Sequence, residues 1–215
     1  MSKRYPGYDV LAKRNSPSWN DQTRRVIDAR VGLDPRSHRF FNDTEWLTVR
    51  AICEQVIPQD HCDHPRAAVA AMLDEHLHSS GAEGYRDARL PPMREAWRRA
   101  VAAFDCEARA QHGQAFHELG PDSQVALLKS VQEGRARDSA WGDMSPRLFF
   151  SHRLLHDILS VYYAHPSAWS DIGFGGPAGP RGYVRMNFDR HDPWEAAEAH
   201  PGKEQQARNE NLRPG

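Results

Sequence analysis

Residues 145–165 read SPRLFFSHRLLHDILSVYYAH, and this stretch decides the fold class. Ser145 followed by Pro146 is a helix start, because a hydroxyl can accept an orphan backbone N–H and proline's fixed φ suits the first helical position. Behind them Leu148, Phe149, Phe150, Leu154, Leu155, Ile158, Leu159, Val161, Tyr162 and Tyr163 leave little polar face. A helix that is apolar most of the way round belongs in the middle of a bundle or under a partner.

Working outward, helical start signals recur and strand signals do not. Ser18 with Asp21 resembles a capping box opening a short helix to about Val31, with Trp19, Val26 and Ile27 apolar. Asn42 with Glu45 opens a clearer helix, in which Trp46, Val49, Cys53, Val56 and Ile57 form one stripe and Pro58 is the stop. Pro65 begins a third, burying Val69, Met72, Leu73 and Leu77, with Gly81 beyond its end. A fourth runs from about Pro92 to His112, with Met93, Trp97, Ala100, Val101, Phe104 and Ala108 inward, Arg94, Arg98, Arg99, Asp105 and Arg109 outward, and Gly113 as terminator. Pro121 starts a fifth through Val125, Leu128 and Val131 to Gly134. The expected fold is all-α, an irregular bundle of five to six helices.

Composition sets the outer limits. The 215 residues suit one domain with extended arms. Lys plus Arg number 28 against 29 Asp plus Glu, so no global field draws the chain to nucleic acid or an anionic membrane. The longest apolar run, Ala67 to Leu73, is far short of the roughly twenty residues a membrane helix needs, and no membrane insertion is expected. MSKRYPGYDV has no apolar segment behind its charges, and Arg24-Arg25 precedes the amphipathic VIDARV. Neither a secretory nor a twin-arginine signal is read, and a cytoplasmic chain is expected. Cys53, Cys62 and Cys106 lack metal or haem spacing and read as free thiols.

From His165 the character changes. Glycine or proline occupies seven of the ten positions from Gly173 to Gly182, which reads as coil. Yet Trp169, Phe174, Tyr183, Phe188 and Trp194 lie in the same region, and a solvated linker carries few such rings. Either the segment wraps over its own bundle or it lies on another protein, where Arg181, Arg185 and Arg190 among aromatics would suit an interface. The expected organisation is an N-terminal arm at 1–17, a helical domain at 18–165, a partner-docking arm at 166–199 and a polar, frayed tail at 200–215. The partner-binding residues are then Trp169, Phe174, Gly175, Gly176, Arg181, Tyr183, Phe188 and Trp194.

No catalytic, cofactor-binding or metal site is read in the chain. GFGGPA at 173–178 matches a dinucleotide fingerprint in letters, but Pro177 and Pro180 forbid the helix that would hold the pyrophosphate. Gly202-Lys203 has Ala197 where a phosphate loop needs its first glycine. His152 and His156, at i, i+4, could share a face and hold a metal, and a stand-alone metal-binding protein or enzyme built on them is the alternative reading. A third ligand is missing from the pattern. Asp60, His61, Cys62, Asp63 and His64 are ligand types without ligand spacing, and Asp157 and Glu133 sit beside apolar residues with no acid–base partner.

Four phrases, RFFNDTEWLTVRAICEQVIP (39–58), RDARLPPMREAWRRAVAAFD (86–105), FFSHRLLHDILSVYYAHPSAWSDIGFGGPAGPRGY (149–183) and FDRHDPWEA (188–196), resemble the gluconate 2-dehydrogenase subunit 3 family across about Arg4 to Glu198. The resemblance implies a non-catalytic small subunit. Such a subunit binds a large subunit of the glucose-methanol-choline (GMC) oxidoreductase type, which holds FAD and oxidises a sugar, sugar acid or alcohol, and a cytochrome c subunit often takes the electrons. It implies a role in folding, maturation or export of that partner. Many members carry a twin-arginine signal that is not read here, so periplasmic location would require an address on another subunit.

Overall fold

A computed structural model of the protein describes residues 4–16, 19–59, 64–79, 87–136, 139–177 and 195–212. The described residues are all-α, with no strand among them. In chain order the helices are α1 (Asp21–Val31), α2 (Asp43–Val56), α3 (Val69–Ser79), α4 (Met93–His112), α5 (Pro121–Gln132), α6 (Pro146–Phe149), α7 (Leu155–Tyr162), α8 (Pro166–Ile172) and α9 (Glu204–Asn211). A π-helical turn, Phe150–Leu154, joins α6 to α7, and 3₁₀ turns occupy Val10–Lys13, Phe116–Glu118 and Ser139–Trp141. No helix among the described residues is long and apolar enough to cross a membrane. The chain divides into two compact units, one of Asp34–His61 and Ala68–Val161, the other of Met1–Leu33, Cys62–Ala67 and Tyr162–Gly215.

In the first unit local signals set the helix ends. Asn42 Oδ1 accepts the Glu45 N–H at 2.9 Å while Glu45 Oε2 accepts the Asn42 N–H at 3.0 Å, so two orphan donors are satisfied reciprocally. α2 ends one residue before Ile57, which precedes Pro58. Gly113 closes α4 at φ +74°. All six residues of the expected α4 stripe are buried, and Trp97 stands at its centre. The Trp97 ring meets Phe41 and Phe149 edge-on at 6.3 and 5.4 Å, and its Nε1–H donates to the buried Asp157 carboxylate at 2.8 Å. Asp157 therefore has the partner that its sequence context did not reveal.

Several expectations are corrected here. α3 starts at Val69 and not at Pro65, whose carbonyl instead accepts the Ser167 hydroxyl at 2.8 Å; Gly81 lies outside the described residues. Asp105, expected on the outer face of α4, accepts both the Thr48 hydroxyl at 2.9 Å and the Phe116 N–H at 3.0 Å. The helix that was to run unbroken from Pro146 is interrupted by the π turn, although Ser145 caps its start as expected, accepting the Leu148 N–H. On α3, Asp74 lies fully inside and accepts three successive backbone N–H groups, from Arg39 at 2.6 Å, Phe40 at 3.0 Å and Phe41 at 2.9 Å. A buried carboxylate is tolerated when its lone pairs are filled in this way.

The second unit is assembled from both ends of the chain. Tyr8, Val10, Trp19, Ile27, Trp169 and Ala196 form its buried cluster, with Tyr5 and Leu11 packed alongside. α1 is capped by Asn20, which accepts the Thr23 N–H at 2.8 Å; Ser18, the expected cap, lies outside the described residues. The region from 200, expected to be a frayed tail, carries α9, and Asn211 on it donates to Pro6 O at 2.9 Å and accepts the Ala197 N–H at 2.7 Å. Ala199 N–H donates to Arg4 O at 2.8 Å, and Arg4 and Glu198 pair through side chains. Backbone and amide contacts of this kind order a polar terminus that composition alone would leave loose.

Candidate functional site

Trp169 sits on α8, a helix whose start depends on three adjacent residues. Pro166 occupies the first turn, Arg30 Nη1 donates to Ala164 O at 2.9 Å just before it, and His165 caps the end by accepting the Ser167 N–H on Nδ1 at 3.3 Å. A ring nitrogen that accepts must be unprotonated. Burial pushes the His165 pKa from 6.5 down to about 4, with the neighbouring Arg30 charge adding to the effect. An unfolded histidine protonates first as pH falls, so the stability tied to neutral His165 is fully present above about pH 7 and is withdrawn between pH 6.5 and 4. Urea midpoints are expected to show about 2 kcal/mol lost from this group between about pH 7.5 and pH 5. His165→Asn, which retains a capping acceptor, should flatten that slope; an unchanged slope would assign it to other groups.

The Trp169 ring is 4% exposed, and its Nε1–H donates to Tyr163 O at 2.5 Å. Ser170 Oγ accepts the Val10 N–H at 3.1 Å, fixing α8 on the Val10–Lys13 turn. Gly173 ends α8 at φ +70°, and Phe174 N–H returns to Trp169 O at 2.9 Å. That return places the Phe174 ring edge-on to Trp169, centroids 5.7 Å apart at 85°. Phe174 is 39% exposed, and Tyr163 and Ile172 of the same segment are exposed as well. The Phe174 ring thus stands partly exposed against a buried indole.

The glycines serve close approach. A Cβ on Gly173 would lie 2.7 Å from the Tyr5 ring, and one on Gly176, at φ +78°, would lie 3.1 Å from the Trp19 ring. Gly175 O faces the Lys13 ammonium at 3.5 Å. Gly173→Ala is expected to cost about 2 kcal/mol or more, from left-handed backbone plus a ring that must shift. Gly113→Ala, at φ +74° with open space around it, should cost only the backbone part; equal denaturation midpoints for the two variants would contradict the Tyr5 contact. Tyr5 and Trp19 fill the space these glycines leave, and α8 precedes them where a dinucleotide turn has a strand. The residues present do not fit a pyrophosphate.

Of the eight sequence-nominated residues, Trp169, Phe174, Gly175 and Gly176 come together here. Arg181, Tyr183, Phe188 and Trp194 lie outside the described residues. α8 itself was missed, and the start signal that would have exposed it is Pro166 at a first-turn position.

His152 and His156 go to different carboxylates, His152 Nδ1 to Asp87 at 3.6 Å and His156 Nδ1 to Asp157 at 3.1 Å. The π turn containing His152 breaks the 3.6-residue register that would align the two rings. Among the described residues no group of three metal-ligating side chains forms. His64 stands 4.0 Å from Asp171, while Asp60, His61, Cys62 and Asp63 lie outside the described residues. Glu133 is exposed and paired with Arg135. Cys53 is a buried thiol whose pKa burial raises well above the ordinary range, and Cys106 is half-buried and in no disulfide.

A family model described as gluconate 2-dehydrogenase subunit 3 matches residues 43–176, more than half of the chain. No curated protein and no solved structure matches it.

Proposed function

Because the chain belongs to the gluconate 2-dehydrogenase subunit 3 family, we propose that it is the non-catalytic small subunit of a dehydrogenase complex, and that it binds and supports the folding, maturation or stability of an FAD-dependent, GMC-type large subunit. Oxidation of the sugar, sugar acid or alcohol then takes place in the partner, which holds the FAD, and a cytochrome c subunit is a further partner. The docking arm is the segment 166–199, with Phe174 as its leading anchor. The observation that carries this reading is the exposed Phe174 ring mounted on buried Trp169. An aromatic held at the surface by a buried partner ring is the arrangement that anchors protein interfaces. The location proposed for the complex is the cytoplasm.

Co-purification tests the proposal. A tagged chain co-expressed with the products of its neighbouring genes should retain a yellow protein with bound FAD in fixed stoichiometry. A chain that never retains a flavoprotein, or that turns over a sugar acid by itself, would end the reading.

A further inference from the structure

The first unit carries a cavity of about 570 Å³ lined by Arg39, Phe40, His78, Arg94, Glu95 and Arg98. Its floor is rigid for reasons already visible. The backbone N–H groups of residues 39–41 are held by Asp74, and the Phe40 carbonyl is held from the other side by Arg98 Nη2 at 2.5 Å. The Phe40 ring then supports two guanidinium groups, Arg98 at 4.4 Å and Arg94 at 5.2 Å from its centroid. Cation–π contact of this kind orients a guanidinium without consuming its hydrogen-bond donors.

The three arginines differ in what already neutralises them. Arg98 is bonded to Glu45 at 2.8 Å and Arg39 is paired with Glu75. Glu95, the acidic residue of the lining, turns to Arg99 at 3.6 Å. Arg94 has no carboxylate among the described residues; its one hydrogen bond there is a long one, 3.5 Å from Nη2 to His78 O. A guanidinium offers five donors in a planar fork that matches a carboxylate with two parallel bonds. Here that fork is mounted on an aromatic ring, at an open cavity, with most donors unspent.

We infer that this cavity is a docking point for an acidic side chain of a partner polypeptide, a glutamate or aspartate received by Arg94 and flanked by the Phe40 ring. Charge complementarity selects an acidic partner. The cavity stands open to solvent, whereas tight capture of a small ligand requires enclosure of most of its surface. A polypeptide supplies the missing cover from its own surface. The inference does not depend on the partner being the flavoprotein of the previous section, and it concerns different residues from the Phe174 anchor.

The full chain, with arginine Nε labelled for NMR, is titrated with hexaglutamate, hexalysine and sodium gluconate as probes. Hexaglutamate should shift the Arg94 Nε resonance saturably and hexalysine should not. Arg94→Gln should weaken hexaglutamate binding about tenfold, as loss of one member of a charged contact does. Arg94→Lys should recover part of it, because the charge returns without the fork. Arg94 is an exposed helix position, and unchanged circular dichroism and melting would show that the variants fold. An Arg94 resonance unmoved by hexaglutamate, or Arg94→Gln binding within twofold of wild type, overturns the inference. Gluconate binding as tightly as hexaglutamate also overturns it, in favour of a small-molecule site. None of these results touches the flavoprotein reading, which co-purification decides separately.

Discussion

Asp74→Ala is expected to lower the melting temperature by roughly 10 °C or more, corresponding to about 4 kcal/mol. The carboxylate is buried and accepts the N–H groups of Arg39, Phe40 and Phe41, so its removal strands three donors away from water at once. Each unsatisfied buried donor costs about 1–3 kcal/mol, discounted here because Arg39 is exposed and its N–H can recover a water. Asp74→Asn keeps one acceptor oxygen but sets an amide donor against N–H groups, so about half that loss is expected. The loop these bonds hold leads directly into the Asn42 cap of α2 and carries Phe40, whose ring lies under Arg94 and Arg98. Protection of the Phe40 and Phe41 amides against hydrogen exchange should fall with the melting temperature. A midpoint within 2–3 °C of wild type would mean that the carboxylate's desolvation cancels its hydrogen bonds.

Asp74 also marks the boundary of what could be read from the sequence. The all-α class, the Asn42–Glu45 box, the limits of α4 and the Ser145 cap were legible because each is encoded within one helical turn or one periodic stripe. A carboxylate inside the apolar face of α3 reads only as a break in the stripe, since its partners lie more than thirty residues earlier in the chain. Asp105 and Asp157 were obscure for the same reason, their partners Thr48 and Trp97 being 57 and 60 residues away. α8 was missed because it is short and its cap is a histidine, a residue outside the usual capping set that accepts a hydrogen bond only while its ring is neutral. At the candidate site, Trp169, Phe174, Gly175 and Gly176 could be nominated from aromatics set among glycines. Their contacts with Tyr5, Val10, Lys13 and Trp19 could not, because they join segments some 160 residues apart.

Trp169→Ala and Phe174→Ala should separate stability from docking, although both rings belong to one edge-on pair. Trp169 is in the buried cluster with Tyr8, Val10, Trp19, Ile27 and Ala196, so truncation leaves a cavity and removes the bond to Tyr163 O. A loss of about 3–5 kcal/mol is expected for the free chain, enough to loosen the unit that holds both termini. Complex formation by that variant would fail for want of a folded surface and would say nothing about contact. Phe174 already exposes 39% of its surface, and its replacement should cost the free chain about 1 kcal/mol. In a complex its remaining area would be covered, and truncation of a central aromatic anchor there costs about 2 kcal/mol or more, roughly thirtyfold in affinity. Paired measurements of denaturation and of affinity for the co-expressed flavoprotein therefore separate the two variants, with Trp169→Ala losing the fold itself and Phe174→Ala losing affinity while it folds. If Phe174→Ala binds as wild type does while folding normally, the exposed ring belongs to the chain's own packing, and the contact with the flavoprotein lies elsewhere.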